Sequence, residues 1–302
     1  MRVTALRIYP VKSLGGMAVA AAEVEPWGLA GDRRWCLLDV TGTRITAREV
    51  HHLLGLLAEP AGRDGIRITD QHGASISVTA PRETGAEPIE HDRLGVVHCA
   101  AAGANDWLTA RVGRPTTLVW QPDPTTRPLA ANWGGLPGEH LALADAGPLL
   151  LVSEASLVQL DRWIAAETDT PDAATLDPRQ VRADAHPEPL NVVRFRPNVV
   201  VDGGDPFEED HWSTVRIGEV AFRKTMICDR CVMPTIDPDT LAAGKEPTRT
   251  LARHRHWDRK TWFGIRIVPL GTGTLAVGDA VEPRRCAEGR GRRDSTDGAR
   301  VS

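Results

Sequence analysis

Apolar side chains in this chain recur at every second position in short runs, and each run is closed by a turn signal. A period of two places alternate side chains on one face of a strand, so the rhythm restricts the fold to many short strands. Residues 3–9 alternate apolar and polar, and residues 35–39 form an apolar run. That run ends in Val40-Thr41-Gly42-Thr43, with glycine where hairpins favour it, and residues 44–48 read as the returning strand. Residues 66–68, 76–78, 95–99 and 117–121 repeat the pattern. One helix interrupts, with Asn105 as its expected cap, Trp107, Leu108 and Val112 on one face and Gly113 at its end. Residues 122–138 hold four prolines and no period, which predicts a loop.

Residues 148–152 are continuously apolar, as a fully buried strand requires. Ser153 is the expected cap of a following helix, in which Leu157, Leu160, Trp163 and Ile164 recur at helical spacing. The Asp-, Pro- and Ala-rich residues 168–191 are too polar for a core and read as a solvated insertion rather than a loop over a site. Further strands are expected at 198–202, 214–217, 220–223, 264–268 and 273–277, and a disordered polar tail at 283–302. The class is mainly β with a few helices (α+β), built of barrel-like or sandwich pieces, with a split near residues 120–145.

Several function classes lose support on composition. A net charge of −4 gives no reason to expect nucleic acid. No apolar run approaches the ~18 residues of a membrane span, and the first residues lack the apolar core of a signal peptide. Five scattered cysteines, an odd number, argue against a disulfide framework and for a reducing cytoplasm. Nine Trp against four Phe and one Tyr read mostly as core filling, with pocket lining as the other use. There are no internal repeats and no glycine-rich phosphate loop.

Chemistry concentrates in Cys228-Asp229-Arg230-Cys231. A thiolate is populated at neutral pH only beside cations or metal, and Arg230 lies between the two thiols. A single CxxC is too little for a structural zinc site. Thioredoxin-like exchange needs a helix to begin at the first cysteine, whereas Pro234 follows this pair closely. Ligation of a soft metal by one thiolate and burial of inert cysteines both stay open. Lys12, Arg33 and Arg196 stand at strand ends, where binding groups gather. Each suits a phosphate, but each taken singly reads first as a solvated surface cation.

These clusters, taken in order, resemble the MOSC family, named for the C-terminal domain of molybdenum cofactor sulfurase, and within it the amidoxime-reducing branch. The first half carries the resemblance in Ile8-Tyr9-Pro10-Val11-Lys12-Ser13, Gly31-Asp32-Arg33-Arg34-Trp35 and Thr46-Ala47-Arg48. The second carries it in residues 151–157, Arg194-Phe195-Arg196-Pro197-Asn198, Asp229-Arg230-Cys231, Asp237-Pro238-Asp239-Thr240, Glu246-Pro247 and Val277-Gly278-Asp279. The resemblance implies an N-terminal β-barrel domain over 1–120 and a β-barrel-like MOSC domain over 121–282, with the cofactor site between them. It implies that Cys231 is the protein ligand to a molybdenum–molybdopterin cofactor and the catalytic residue, and that Cys228 is not a ligand. Lys12, Ser13, Arg33, Asp145, Arg196 and Arg230 would line the cofactor, with Ala146 and Gly147 where relatives can carry a hydroxyl pair. The implied reaction is reduction of amidoximes, hydroxylamines or N-hydroxylated bases, with electrons from an external ferredoxin, flavoprotein or haem protein. The family's association with pyridoxal phosphate comes with it. A molybdenum-cofactor or sulfur carrier using Cys231 is the competing function, since fold does not decide activity.

Overall fold

The computed structural model describes residues 1–62, 65–82, 89–91, 93–168 and 189–285. Strands dominate, and among the described residues the α-helices are Ala102–Val112, Glu154–Thr168 and Thr248–His254. The chain is therefore mainly β, as the period of two requires.

Sheet order departs from sequence order. The largest sheet runs Met17–Val19, Val3–Ile8, Val199–Val201, Leu149–Ser153, Lys260–Pro269, Val220–Asp229, Trp212–Ile217 and Val281–Arg285, with His256–Trp257 paired to Lys260–Pro269. Strand Val3–Ile8 thus lies antiparallel to Val199–Val201, with Leu6 opposite Val199. Ala21–Glu25 likewise pairs with Gly273–Ala276. The two halves of the chain are interleaved, and Val3, Leu6, Ile8, Val24 and Leu29 share one core with Leu149, Phe222 and Ile265. A second core, around Trp35, Leu37, Leu53, Ile68, Leu108 and Trp120, fills a five-stranded and a three-stranded sheet drawn from the first 120 residues. A third seats helix Glu154–Thr168 through Leu160 and Ile164 against Phe195, Leu251 and Phe263. The expected Trp role holds for Trp35 and Trp212, each 1% exposed.

Several expectations need correction. The returning strand expected over 44–48 is only Arg44–Ile45, because Glu49 and Val50 donate backbone hydrogen bonds to Thr46 O and turn the chain. Asn105 does not cap its helix, which starts at Ala102; its Oδ1 instead accepts from Leu118 N at 2.8 Å, tying helix to strand. Gly113 does end that helix, in the left-handed conformation glycine adopts without penalty. Ser153 is the last residue of its strand, and its buried Oγ has no hydrogen-bond partner among the described residues. The strand expected at 220–223 continues to Asp229, so Cys228 sits on a strand and not in a loop. Residues 283–285 of the expected tail belong to a strand, paired with Trp212–Ile217. The remainder of that tail, and residues 169–188 of the expected insertion, lie outside the described residues.

Glu209 is fully buried, with Ser156 Oγ 2.8 and 3.0 Å from its two carboxylate oxygens. Phe207 N donates to the same Oγ, which joins helix Glu154–Thr168 to the turn before Trp212. Burial pushes the Glu209 carboxyl up to about 7, and the Ser156 hydrogen bond only partly opposes it. A folded-state value above the unfolded one means that ionisation opposes folding, so this contribution is lost as pH rises through about 7. Relative to Glu209→Gln, the native protein should lose up to about 3 kcal/mol between pH 5 and pH 8. Urea unfolding of both proteins at the two pH values checks this, and parallel pH profiles would contradict it.

Candidate functional site

Asn198 is the joint on which the site is built. Its Oδ1 accepts from Arg33 Nη1 at 3.0 Å and Leu150 N at 3.2 Å, and its Nδ2 donates to Arg7 O at 3.2 Å. Its backbone N donates to Leu150 O and its backbone O accepts from Arg7 N. One side chain thereby locks Val3–Ile8, Leu149–Ser153 and the Asp32-Arg33 turn together.

The segment carrying Lys12 and Ser13 is pinned on both sides. Lys12 N donates to Trp35 O, Gly15 N to Leu56 O, and Trp35 N to Pro10 O. A side chain at Gly16 would lie 2.3 Å from Ile8 O and 2.4 Å from the Tyr9 ring, so only glycine allows this close approach. Asp32, 3% exposed, accepts from Tyr9 N at 2.8 Å and pairs with Arg33 Nη1. The Tyr9 ring is covered by two guanidinium groups, Arg196 at 4.2 Å and Arg33 at 4.8 Å from its centroid. Ser13, Arg33 and Arg196 all have positive φ, at 71°, 49° and 57°. Such backbone is uncommon outside glycine and costs ~1–3 kcal/mol per residue, and its clustering here marks a site held in place by the surrounding fold.

Cys231 lies just beyond the end of the long strand. Arg230 N donates to Thr261 O, while Arg230 Nη1 donates to Cys228 Sγ at 3.2 Å and Nη2 to Phe195 O at 3.0 Å. Cys228 is buried and Cys231 exposed, so the CxxC presents one thiol to the cavity mouth. The Asp237-Pro238-Asp239-Thr240 motif supports that loop. Asp237 accepts from Asp239 N and Thr240 N at 3.0 and 2.8 Å and is paired with buried Arg194.

All of Lys12, Ser13, Arg33, Asp145, Arg196, Arg230 and Cys231 line one cavity of about 1270 Å³, along with Cys228, Ala146 and Gly147. Convergence of residues from both halves is what spacing could not reveal. Among the described residues, nine Lys and Arg face three Asp and Glu on its wall, an excess that favours anionic ligands. Arg44, Arg48, Arg93, Arg127 and Arg266 also line it. Apart from Arg48, which lies in a quoted motif, none of these carried a signal in the sequence.

Asp145 gathers the positive charge. It accepts from Lys12 Nζ at 2.6 Å and Arg48 Nη2 at 2.8 Å, with Arg44 Nη1 3.5 Å away. Partial withdrawal of this half-exposed carboxyl from water would raise its pKa, but Lys12 and Arg48 outweigh that and hold it well below the usual range. Burial lowers Lys12 to about 8 although Asp145 acts the other way. Burial also lowers Arg196 to about 10. Arg48 is raised because Asp145 and then Cys231 outweigh its burial, which places a cation beside the exposed thiol.

Two interleaved, mainly β units with a cation-lined cleft between them and one exposed thiol at its mouth define the class. The chain belongs to the MOSC family: the MOSC N-terminal beta barrel domain matches residues 1–115 and the MOSC domain residues 138–282. It is 30% identical to mitochondrial amidoxime-reducing component 1 of Homo sapiens, over 92% of this chain and 82% of that protein. Mitochondrial amidoxime reducing component 2 of Rattus norvegicus is 29% identical over the same shares. The molybdenum cofactor sulfurase of Arabidopsis thaliana is 28% identical over 92% of this chain but only 35% of that protein. Among the described residues, no helix is long and apolar enough to cross a membrane.

Lys12 loses its charge as pH rises through about 8, so an anion that draws on it should bind more weakly above that pH. Sulfate, whose charge is constant between pH 7 and pH 9, should raise the Tm of cofactor-free protein more at pH 7 than at pH 9. In Lys12→Gln the two shifts should be equal, as read by differential scanning fluorimetry.

Proposed function

We propose that this protein is a molybdenum-cofactor-dependent oxidoreductase that reduces N-hydroxylated substrates with electrons from an external donor. The observation that carries the reading is the thiol of Cys231, the one exposed cysteine among the described residues, at the mouth of a cavity walled by cations from both halves of the chain. The relatives' names support it, since they include amidoxime-reducing components of which this chain covers 82%.

The residues present fit such a group. Arg196 Nη2 and Arg230 Nε belong to residues that line the cavity, are buried and have no hydrogen-bond partner among the described residues. A buried donor without a partner is costly, and a phosphate- and pterin-bearing ligand supplies acceptors for both. Lys12, Ser13, Arg33 and Arg196 would hold the phosphate and pterin, and Cys231 would ligate molybdenum, whose sulfur-rich shell suits a soft thiolate. Asp145 and Arg230 border the same space. Bound there, the cofactor supplies two-electron redox chemistry that no side chain has.

The chain's own residues set the conditions for that chemistry. Arg48 sets a cation beside Cys231, the thiol that would hold the metal. The positive φ of Ser13, Arg33 and Arg196 aims three ligand-facing groups before any ligand arrives, which lowers the ordering cost of binding. Ala146 and Gly147 offer only backbone groups to the cavity, and Gly147 leaves room for the Arg266 stem, 3.0 Å from where a side chain would start. The net reaction is C=N–OH + 2 e⁻ + 2 H⁺ → C=NH + H₂O, with both electrons from the external donor.

Protein made in a cofactor-competent host should carry one molybdenum per chain. Cys231→Ala should lose the metal and Cys228→Ala should keep it, as read by elemental and pterin analysis. The metal-loaded protein should reduce benzamidoxime with a chemical electron donor. A full metal complement without turnover would favour the carrier role instead, and a metal-free wild-type protein would exclude both.

A further inference from the structure

The cleft holds more positive charge than the proposed cofactor set accounts for, and the surplus sits on residues outside that set. Lys12, Arg44 and Arg48 all pair with one carboxylate, Asp145. The Arg44 guanidinium makes no hydrogen bond among the described residues; its one ion pair there is the 3.5 Å contact to the shared Asp145. Arg127, beside Arg44, commits its donors to neutral carbonyls: Nε to Arg93 O at 2.7 Å and Nη1 to Ala142 O and Ala144 O. Burial lowers it to about 10, and the next cause is the repulsion of Arg44. Two like charges held together on rigid supports, with the Asp145 carboxylate shared among Lys12, Arg44 and Arg48, form a receptor for an oxyanion.

Position separates this group from the phosphate-holding cations. Arg33 and Arg196 stack on Tyr9 and are tied to Asn198 and its neighbours. Arg44 comes instead from the strand edge paired with Leu38, Arg48 from the turn after it, and Arg127 from the proline-rich loop. The cavity of about 1270 Å³ exceeds the roughly 300–1,000 Å³ of a single-ligand pocket, so a second ligand has room beside the cofactor.

We propose that Arg44, Arg48 and Arg127 form an anion subsite in which a carboxylate or phosphate of the ligand binds. The ligand is a substrate only if the reductase reading above is correct; on that reading, the N-hydroxylated compound this protein favours is itself an anion. Guanidinium groups donate to both oxyanions, Arg44 through its open fork and Arg127 through the Nη2 that its three carbonyl contacts leave over and already orient.

The test uses metal-loaded protein and two matched pairs of probes. N4-hydroxycytidine 5′-monophosphate is compared with N4-hydroxycytidine, and 4-carboxybenzamidoxime with benzamidoxime. At least one anionic probe should have a kcat/KM about tenfold or more above its neutral partner, the size of one charge-assisted hydrogen bond, and the pair that responds identifies the oxyanion. Arg44→Gln and Arg127→Gln should shrink that ratio toward one through KM, with Arg44→Lys keeping part of it, while molybdenum and pterin content stay at the wild-type level. Loss of cofactor from these variants would assign the arginines to the cofactor and overturn the subsite. So would equal ratios in wild type and variants, or no preference for either anion. Titration calorimetry with cytidine 5′-monophosphate against cytidine, and with 4-carboxybenzamidine against benzamidine, reads the same preference without turnover. An anion preference in binding that Arg44→Gln abolishes, in protein that reduces nothing, would sustain the subsite and reject the reductase.

Discussion

Asn198 satisfies its polar groups on a strand from the start of the chain, a strand from its middle and the guanidinium of Arg33. Those contacts close the seam between segments roughly 48 to 191 residues apart, and the cleft opens along that seam. A buried amide is stable only when its donors and acceptors are matched, so the backbone around it has little freedom to drift. Arg33 is therefore delivered to the same wall as Arg196 by a structural requirement, whatever the cleft binds. Tyr9 finishes the arrangement by giving both guanidinium groups a common aromatic face.

The electrostatics follow from that geometry. Positive groups from separate elements are brought within reach of one carboxylate, Asp145, which cannot neutralise them all. Burial lowers Lys12, Arg127 and Arg196 from their ordinary values, the physical sign of charge held where water is scarce. A wall of this kind is an expensive feature in a protein whose net charge is only −4. It has a physical rationale if an anion completes it. The exposed thiol of Cys231 stands at the same wall, whereas Cys228, three residues earlier, is turned inward by the two-residue period of its strand and held by Arg230.

Much of the fold was legible because its signals are local. Local rhythm placed most of the strands it marked within a residue or two, although it missed short ones such as Met17–Val19, Ala21–Glu25 and Leu57–Ala61, and Gly113 marked a helix end through its backbone freedom alone. Where reading failed, a longer-range contact had taken over the residue. Asn105 has the side chain of a cap but bonds to Leu118. Ser153 has the side chain of a cap but ends a strand. The long strand passes through Lys224 to Asp229 despite its polar residues because Lys260–Pro269 pairs along most of it. The motif residues of the site were legible through their resemblance to a family, which covers residues 1–115 and 138–282. Arg44 and Arg127 were not, since a strand-edge arginine and a loop arginine look like solvated surface until their neighbours are known.

The amino-acid sequence alone determined the strand rhythm, many of the turns and the family, because each of these is written in neighbouring residues. Tertiary structure alone decided that Val3–Ile8 and Met17–Val19 join the largest sheet, that seven residues from both halves face one cavity, and that its positive charge exceeds its negative. Those outcomes rest on contacts between positions more than a hundred residues apart, where the interaction is strong in space and leaves no trace in local order.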